Sequence, residues 1–446
     1  MEIEAWLARA ARTAPQQTAI DVPSGRCSYA GLHAASICAA AELRARGAGP
    51  GSRVAIALPA GLDFAAVLHG CLLVGAVAVP LDLRLATAER KKIEASAAVV
   101  VDEPPPASGR AEEMPRQLTH DLDATAVVIH TSGTTASPRP VELSYGNLLW
   151  SALGSAVALG LGPNERWLCT LPLSHVGGLS ILIRSCIYGS TAIVHERFET
   201  ERALDAIEHE HVTLVSVVAT TLTRLLDAGL RDPPRLRAAL AGGGPVPASL
   251  LERAARAGVP VSLTYGLTET SSQVTTTPAA EIVRARSAPR GGALFCTRVA
   301  TAEDGEILVK GPTVARSAAC DEHGWLHTGD LGALDARGRL GVTGRKADTI
   351  ISGGENVAPA EVEAVLEAHP AIGEAAVIGR ADERWGEAVT AIVVGRPGVA
   401  APAEEELRAH CASSLAPYKV PKAFVLRGEP LPRTPSGKLL RRELLV

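Results

Sequence analysis

Between His130 and Arg139 the chain reads His130-Thr-Ser-Gly-Thr-Thr-Ala-Ser-Pro-Arg139, a run of hydroxyls and glycine directly after the apolar stretch Ala126–His130. Hydroxyl groups and backbone N–H groups at the end of a buried strand can wrap a polyphosphate, and Arg139 adds positive charge. The GxxxxGK[ST] spacing of a Walker A loop is absent, so phosphate binding here would use a different geometry. On composition alone such a segment is more often an ordinary loop. Two other chemistries are disfavoured by spacing. Glu208-His-Glu-His211 lacks the HExxH arrangement of a zinc protease and falls at the end of an amphipathic helix, where it reads as a solvated terminus. No Gly-x-Ser-x-Gly elbow occurs, which argues against a serine hydrolase.

The elements that must position this loop are legible as periodicity. Arg53–Leu58, Ala126–His130, Thr191–Val194, Val212–Val218 and Val259–Leu263 are predicted as strands, and Tyr145–Leu159, Thr200–His211, Thr220–Ala228 and Ala248–Ala257 as helices. Such alternation predicts a large N-terminal domain of layered α/β architecture, with ligand sites at strand ends. The Pro-, Glu- and Ala-rich stretch Glu103–Arg116 reads as a surface connection within it. Near Arg345–Asp348 the signals restart over a shorter span: helix Pro359–Ala368, strands Ala375–Ile378 and Val389–Val394, helix Glu404–Ser413. The expectation is two domains, 1–345 and 346–446, the second a small α+β unit.

Bulk properties remove further classes. Of 446 residues 47% are hydrophobic, enough to bury a large core, and the formal net charge of −4 leaves no basic stripe for a nucleic-acid partner. The eight cysteines form no CxxC pair, so neither a zinc site nor a disulfide framework is expected, and reduced thiols suit a cytoplasmic protein. The N-terminus has no basic region leading into an apolar stretch, so no secretory leader is expected. Phe64 to Leu81 is apolar over about a bilayer's width, but it contains His69, Gly70, Gly75 and Pro80. A helix Leu62–Val74 stopped by Gly75, then a strand Ala76–Val79 ended by Pro80, accounts for it without a membrane span.

Several short motifs occur in a fixed order: the hydroxyl-rich loop, Leu171-Pro-Leu-Ser-His175, Gly242-Gly-Gly-Pro245, Tyr265-Gly-Leu-Thr-Glu269, Gly305-Glu-Ile-Leu-Val-Lys-Gly311, Thr328-Gly-Asp330, Gly344-Arg345 with Asp348, and Pro435-Ser-Gly-Lys438. In this order, and almost from end to end, the chain resembles the adenylate-forming superfamily of acyl-CoA synthetases, luciferases and peptide-synthetase adenylation domains. The resemblance implies an ATP-dependent acid–thiol ligase that uses ATP, Mg²⁺ and coenzyme A, with a small-molecule carboxylic acid as the further partner. Thr131, Ser132, Gly133, Thr134, Thr135 and Arg139 would hold phosphates. Gly242, Gly243, Gly244, Pro245, Tyr265 and Gly266 would shape the adenine pocket, glycines letting a flat base approach backbone. Thr268 would bind the α-phosphate and Glu269 the Mg²⁺, which suits a hard cation. Asp330 would accept from the ribose hydroxyls beside Arg345, and His175 would orient the substrate carboxylate. Lys438 would bridge that carboxylate and the α-phosphate as charge develops. The small domain would be mobile, exchanging Lys438 for the loop Ser352, Gly353, Gly354, Glu355, Asn356 so that a thiol can attack. Each motif alone has a plain alternative: a turn at Gly242–Gly244, a helix start at Thr268, a turn at Asp330, a solvated lysine at Lys438, a surface loop at Ser352–Asn356.

Within the superfamily, Ser151–Ser155, Leu159–Pro163, Arg166–Cys169 and Gly178–Arg184 resemble the 2-succinylbenzoate–CoA ligases of menaquinone biosynthesis, which implies an aromatic substrate with two carboxylates. Arg184 reads either as a partner for the second carboxylate or as a surface helix residue. Aryl or medium-chain acids, loading of a separate carrier protein, and a nucleotide-binding homologue without catalysis are the alternatives, and the resemblance leaves room for a homo-oligomer. The chain departs from the pattern at Ala136 for a glycine, Arg139 for a lysine and Pro140 for a glycine, which predicts a stiffer phosphate loop with one N–H fewer. Ser174 replaces an aromatic residue and Ala347 stands at the hinge, departures that bear on substrate identity and on domain rotation.

Overall fold

The computed structural model describes residues 1–105, 119–131, 139–162, 164–284, 289–434 and 439–444. Its centre is a nine-stranded sheet in which Val261–Tyr265, Ala238–Ala241, Leu214–Val217, Arg166–Cys169, Thr191–Val194 and Thr18–Val22 lie side by side. All these neighbours pair in parallel. Helices return the chain between them, so the strands are covered by helices and read as continuous apolar runs. Leu214–Val217 and Ala238–Ala241 are buried at every position.

A second sheet orders Val99–Val101, Arg53–Ile56, Val77–Pro80, Thr125–Thr131 and Arg139–Ser144, with the last strand antiparallel at the edge. The apolar run after Leu62 is a helix, Leu62–Val74, buried from Phe64 to Val74, that ends at a left-handed Gly75 (φ 73°) and leads into the strand Val77–Pro80. It packs on helix Tyr29–Ala45 so closely that a Cβ at Gly70 would stand 3.0 Å from the Ala39 methyl and 3.1 Å from the Ala40 nitrogen. Among the described residues no helix is long and apolar enough to cross a membrane.

A four-stranded antiparallel sheet, Arg298–Thr301, Glu306–Lys310, Leu326–Leu334 and Leu340–Arg345, follows the large sheets. A 3₁₀ turn, Lys346–Asp348, then leads into a separate sheet of Glu355–Val357, Ile350–Ser352, Gly386–Gly395, Ile372–Asp382 and Ala423–Arg427. This last sheet has its own core, in which Val362 and Leu366 of helix Pro359–Glu367 and Leu407 and Cys411 of helix Glu404–Ala412 pack on Val377, Val389 and Val393. The expected large α/β domain and small α+β domain are therefore both present.

The predicted elements match the observed ones to within a few residues, and two differences bear on the site. Pro140 was expected inside the phosphate loop but lies in the edge strand Arg139–Ser144, opposite His130. Edge strands tolerate the missing N–H, so Pro140 does not remove a donor from the loop itself. The strands of the small domain run on as Ile372–Asp382 and Gly386–Gly395, beyond the apolar positions that predicted them. Most of the Glu103–Arg116 connection lies outside the described residues.

Candidate active site

Four neighbouring parallel strands, Arg166–Cys169, Leu214–Val217, Ala238–Ala241 and Val261–Tyr265, end on one edge of the large sheet. The segments that follow them carry the motif residues, as is usual where ligands bind at the carboxyl ends of parallel strands. After Ala241, Gly242 takes its N–H to the Val217 carbonyl and lies so close to the next strand that a Cβ would sit 2.7 Å from the Thr264 methyl. Gly243 turns the chain with φ 80°, and Gly243, Gly244 and Pro245 are exposed on the rim. After Tyr265 the backbone folds back so tightly that a Cβ on Gly266 would stand 1.5 Å from the Ser272 carbonyl oxygen.

That fold-back makes Thr268–Thr270 a single 3₁₀ turn in place of a longer helix, closed by left-handed Ser271 and Ser272 at φ 56° and 98°. The edge strand Arg139–Ser144 packs against this turn. Thr131 and Arg139 pair across the base of the hydroxyl-rich loop, with the Thr131 hydroxyl 3.3 Å from the Arg139 carbonyl. The base of the loop, Thr268 and Glu269 thus share one region. Ser132, Gly133, Thr134, Thr135 and Ala136 lie outside the described residues.

Asp330 sits on the four-stranded sheet, 6% exposed, and joins that sheet to the large one. The Tyr265 hydroxyl donates to its Oδ2 at 2.9 Å, and the Arg345 Nε, paired in register across the strands, lies 3.1 Å from its Oδ1. Burial and the adjacent Asp330 carboxylate raise the Tyr265 pKa, so the phenol stays a donor at all physiological pH. Glu306 supports the turn from behind. Its carboxylate accepts from the Gly329 N–H at 2.9 Å and from Lys346 Nζ at 3.1 Å, and Lys346 also reaches Asp304 at 2.6 Å.

His175 is the N-cap of helix Val176–Tyr188. It is not a buried histidine: its side chain is 37% exposed and its Nε2 is 4.0 Å from Asp82. Burial pushes the Asp82 carboxyl up, but two short Arg84 guanidinium contacts, 2.7 and 2.6 Å, and the Arg84 N–H outweigh it and hold Asp82 below its usual value. Farther along the same helix, Arg184 is only 2% exposed, which removes the surface-residue alternative. It meets the Ser151 hydroxyl at 3.0 Å and stands 5.7 Å from the Trp167 ring centre, and its Nε has no partner among the described residues.

On the small domain, Gly353 and Gly354, at φ 62° and 85°, form a two-residue turn between Ile350–Ser352 and Glu355–Val357. Two successive positive φ values are the signature of the tight hairpin turn that only glycine-like residues accept freely. Ser352 is buried, and the Gly353 N–H donates to the Trp385 carbonyl at 2.7 Å, so this loop is a packed hairpin. Trp385 was not singled out from sequence; it carries Arg384 4.9 Å and Lys422 5.0 Å from its ring centre. Its signal was an aromatic residue among charges at Asp382-Glu-Arg-Trp-Gly386. Lys438 lies outside the described residues.

The donor set fits a magnesium nucleotide. Among the described residues no cluster of three metal-ligating side chains exists, and Glu269 stands as a single half-buried carboxylate. Mg²⁺ that keeps its waters and bridges phosphates needs no more than one or two such groups. A cleft of about 440 Å³ lined by Arg53, His120, Glu142 and Tyr145 lies elsewhere, at the amino ends of the second sheet's parallel strands.

The model for the AMP-binding enzyme family matches residues 7–102 and 90–317, and that for the AMP-binding enzyme C-terminal domain matches 361–438. A 2-succinylbenzoate–CoA ligase of Bacillus subtilis is 39% identical over 98% of this chain and 97% of its own length. Two solved structures of the o-succinylbenzoate CoA synthetase from that organism superpose with TM-scores of 0.90 at 38% identity. One holds the acyl-adenylate intermediate and covers 100% of this chain and 98% of the other. The other holds ATP and a magnesium ion and covers 100% of both.

Proposed function

Because the chain belongs to the AMP-binding enzyme family, we propose that it is an AMP-forming acid–CoA ligase that converts 2-succinylbenzoate, ATP and coenzyme A to 2-succinylbenzoyl-CoA, AMP and pyrophosphate. In the first step a carboxylate oxygen attacks the α-phosphorus, a C–O–P linkage forms, and the bond to pyrophosphate breaks. In the second the CoA sulfur attacks the acyl carbon, a C–S bond forms, and AMP leaves with the C–O electron pair while the thiol proton goes to solvent.

Asp330, oriented by Tyr265 and Arg345, takes the ribose hydroxyls. Gly242–Pro245 and Tyr265–Gly266 receive the base, and Thr131–Thr135 with Arg139 and Thr268 hold the phosphates. Glu269 holds Mg²⁺, which neutralises charge on the phosphate oxygens. His175, kept in place near Asp82, orients the carboxylate. Residues 1–345 form the half that binds ATP and acid, and 346–446 the mobile half that delivers Lys438 for adenylation and the Ser352–Asn356 hairpin for transfer. The cationic surroundings of Trp385 suit the phosphates of coenzyme A. A reaction fed by ATP and coenzyme A also puts the enzyme in the cytoplasm.

The observation that carries the substrate is Arg184. A guanidinium this deeply buried is costly without an anion, and none of the described carboxylates pairs with it. Arg184 lies nine residues beyond His175, about 13 Å of axial rise along the helix that His175 caps. The activated carboxylate is assigned to His175 and the second carboxylate to Arg184. Acid-dependent pyrophosphate release, with the thioester identified by mass spectrometry when coenzyme A is added, is expected to be strongest for 2-succinylbenzoate across a panel of aryl and aliphatic acids. No release with this acid and strong release with a monocarboxylic one defeats the substrate assignment.

A further inference from the structure

Trp167 lies in the strand Arg166–Cys169, 2% exposed, between the strand that carries Ser216 and the strand Thr191–Val194. Two polar groups are set by this one indole. Its Nε1–H donates to the Ser216 hydroxyl oxygen at 3.0 Å, and its ring lies 5.7 Å from the Arg184 guanidinium carbon. A cation over a desolvated indole face is held more strongly than one at the surface.

The hydrogen-bond directions follow from donor counting. Ser151 gives its single hydrogen to the Ser271 carbonyl at 2.5 Å, so it can only accept from Arg184, and it does so at 3.0 Å. Ser216 accepts from Trp167, which leaves its own hydrogen without an acceptor among the described residues. Arg184 Nε–H is likewise unsatisfied. Two buried donors, one cationic and one neutral, therefore adjoin the same ring with no acceptor among the described residues. Buried donors normally find partners, and an unpaired pair of this kind matches the two oxygens of a carboxylate.

We propose that Trp167 is a positioning residue for substrate specificity: its ring face holds Arg184 and its N–H turns the Ser216 hydroxyl, so that both present hydrogens to the second carboxylate of the acid. This rests on the substrate reading above. The indole makes no claim on the reacting carboxylate or on ATP, so its effect falls on recognition of the acid alone.

The test compares 2-succinylbenzoate with a monocarboxylate analogue, chosen as whichever of the two analogues lacking one carboxylate still supports pyrophosphate release. Trp167→Phe keeps a ring face and loses the N–H, and is expected to raise KM for 2-succinylbenzoate about tenfold, with kcat and the ATP KM within about twofold. Trp167→Leu loses both contacts and raises it further, so the aromatic variant is a partial rescue. Ser216→Ala, a small change that does not disturb the strand, gives about the same tenfold rise and keeps the test informative if the tryptophan variants fold poorly. For the analogue, KM moves by less than about twofold in all three. Arg184→Met separates the two layers. If it leaves the preference for the dicarboxylate intact, the substrate reading fails and takes this inference with it. If it abolishes the preference while the Trp167 and Ser216 variants leave it unchanged, or if those variants impair both acids equally, Trp167 is only a packing residue and the inference is wrong.

Discussion

Asp330 is nearly inaccessible, yet each of its oxygens already has one protein partner, the Tyr265 hydroxyl on one and the Arg345 guanidinium on the other. These two partners fix the plane of the carboxylate that, on the proposed function, meets the ribose hydroxyls. Preorganisation of this kind lowers the ordering cost of binding. Tyr265→Phe removes one bond to a charged group, worth roughly 1.5–3 kcal/mol, and is expected to raise the ATP KM about tenfold or more while leaving the acid KM within about twofold. Pyrophosphate exchange at varied ATP reads this directly; an unchanged ATP KM means that the phenol holds the two sheets together and does not prepare the carboxylate. Arg345 was expected beside Asp330 from the motif resemblance, whereas local pattern pointed to neither contact and the Tyr265 partner was not anticipated. The Tyr265 hydroxyl reaches Asp330 across 65 positions of the chain, and the Asp330–Arg345 pair depends on the register of two strands that leave little apolar trace.

The four-stranded sheet that presents Asp330 shows where the elements were not legible. Strand Leu326–Leu334 buries only its first and fifth residues, so it has neither the apolar run of a parallel strand nor a clean alternation. The parallel strands at Arg53, Val77, Thr125, Thr191, Leu214 and Val261 and the helices Leu62–Val74 and Tyr145–Leu159 match the sequence reading to within a residue or two, because burial on both faces or along one stripe dictates their residue types, whereas the parallel strands Thr18–Val22, Val99–Val101, Arg166–Cys169 and Ala238–Ala241 were not read from sequence. The same logic explains the small domain, whose hairpin continues past its core into Arg380–Asp382 and Gly386–Ala388, where no burial enforces a pattern. Turn chemistry was legible where glycine was obligatory. At Gly353 a side chain would meet the Trp385 ring at 3.0 Å and would also sit at φ 62°, a conformation that costs an L-residue roughly 1–2 kcal/mol. Gly353→Ala therefore shifts the hairpin against Trp385 and, on the proposed function, is expected to slow transfer of a preformed acyl-adenylate to coenzyme A about tenfold while adenylation stays within about twofold. Measuring the two half-reactions separately decides it. Equal loss in both would place the hairpin's role in the stability of the small domain alone.

Buried groups whose pKa values shift in ways that act oppositely on acid stability lie in the two halves of the molecule, which gives the whole chain an uneven response to acid. In the large domain His69 and His120 are buried beside Trp6 and Tyr145, with His120 stacked 4.4 Å from the Tyr145 ring and its Nε2 accepting from the Trp6 backbone N–H. Burial lowers His69 to about 4 and His120 to about 3, and His195 likewise to about 4. A histidine kept neutral in the folded state contributes stability that is complete above the unfolded value of 6.5 and is lost as pH falls below it. For His69 and His120 together that loss is about 3 kcal/mol by pH 5.5. In the small domain Glu367 behaves in the other sense. Burial, then the neighbouring Glu363 charge, raises it to about 7, so its neutral form is favoured on folding and its cost to stability disappears as pH falls from about 7 toward 4.5. Each half has its own apolar core, and a chain of two domains need not unfold in one step. Calorimetry between pH 7.5 and 5.5 is accordingly expected to show the large-domain transition moving down while the small-domain transition holds or moves up. His120→Gln should flatten the first trend and Glu367→Gln the second. Two transitions that fall in parallel, or slopes that neither substitution alters, would mean that these buried groups do not set the acid response.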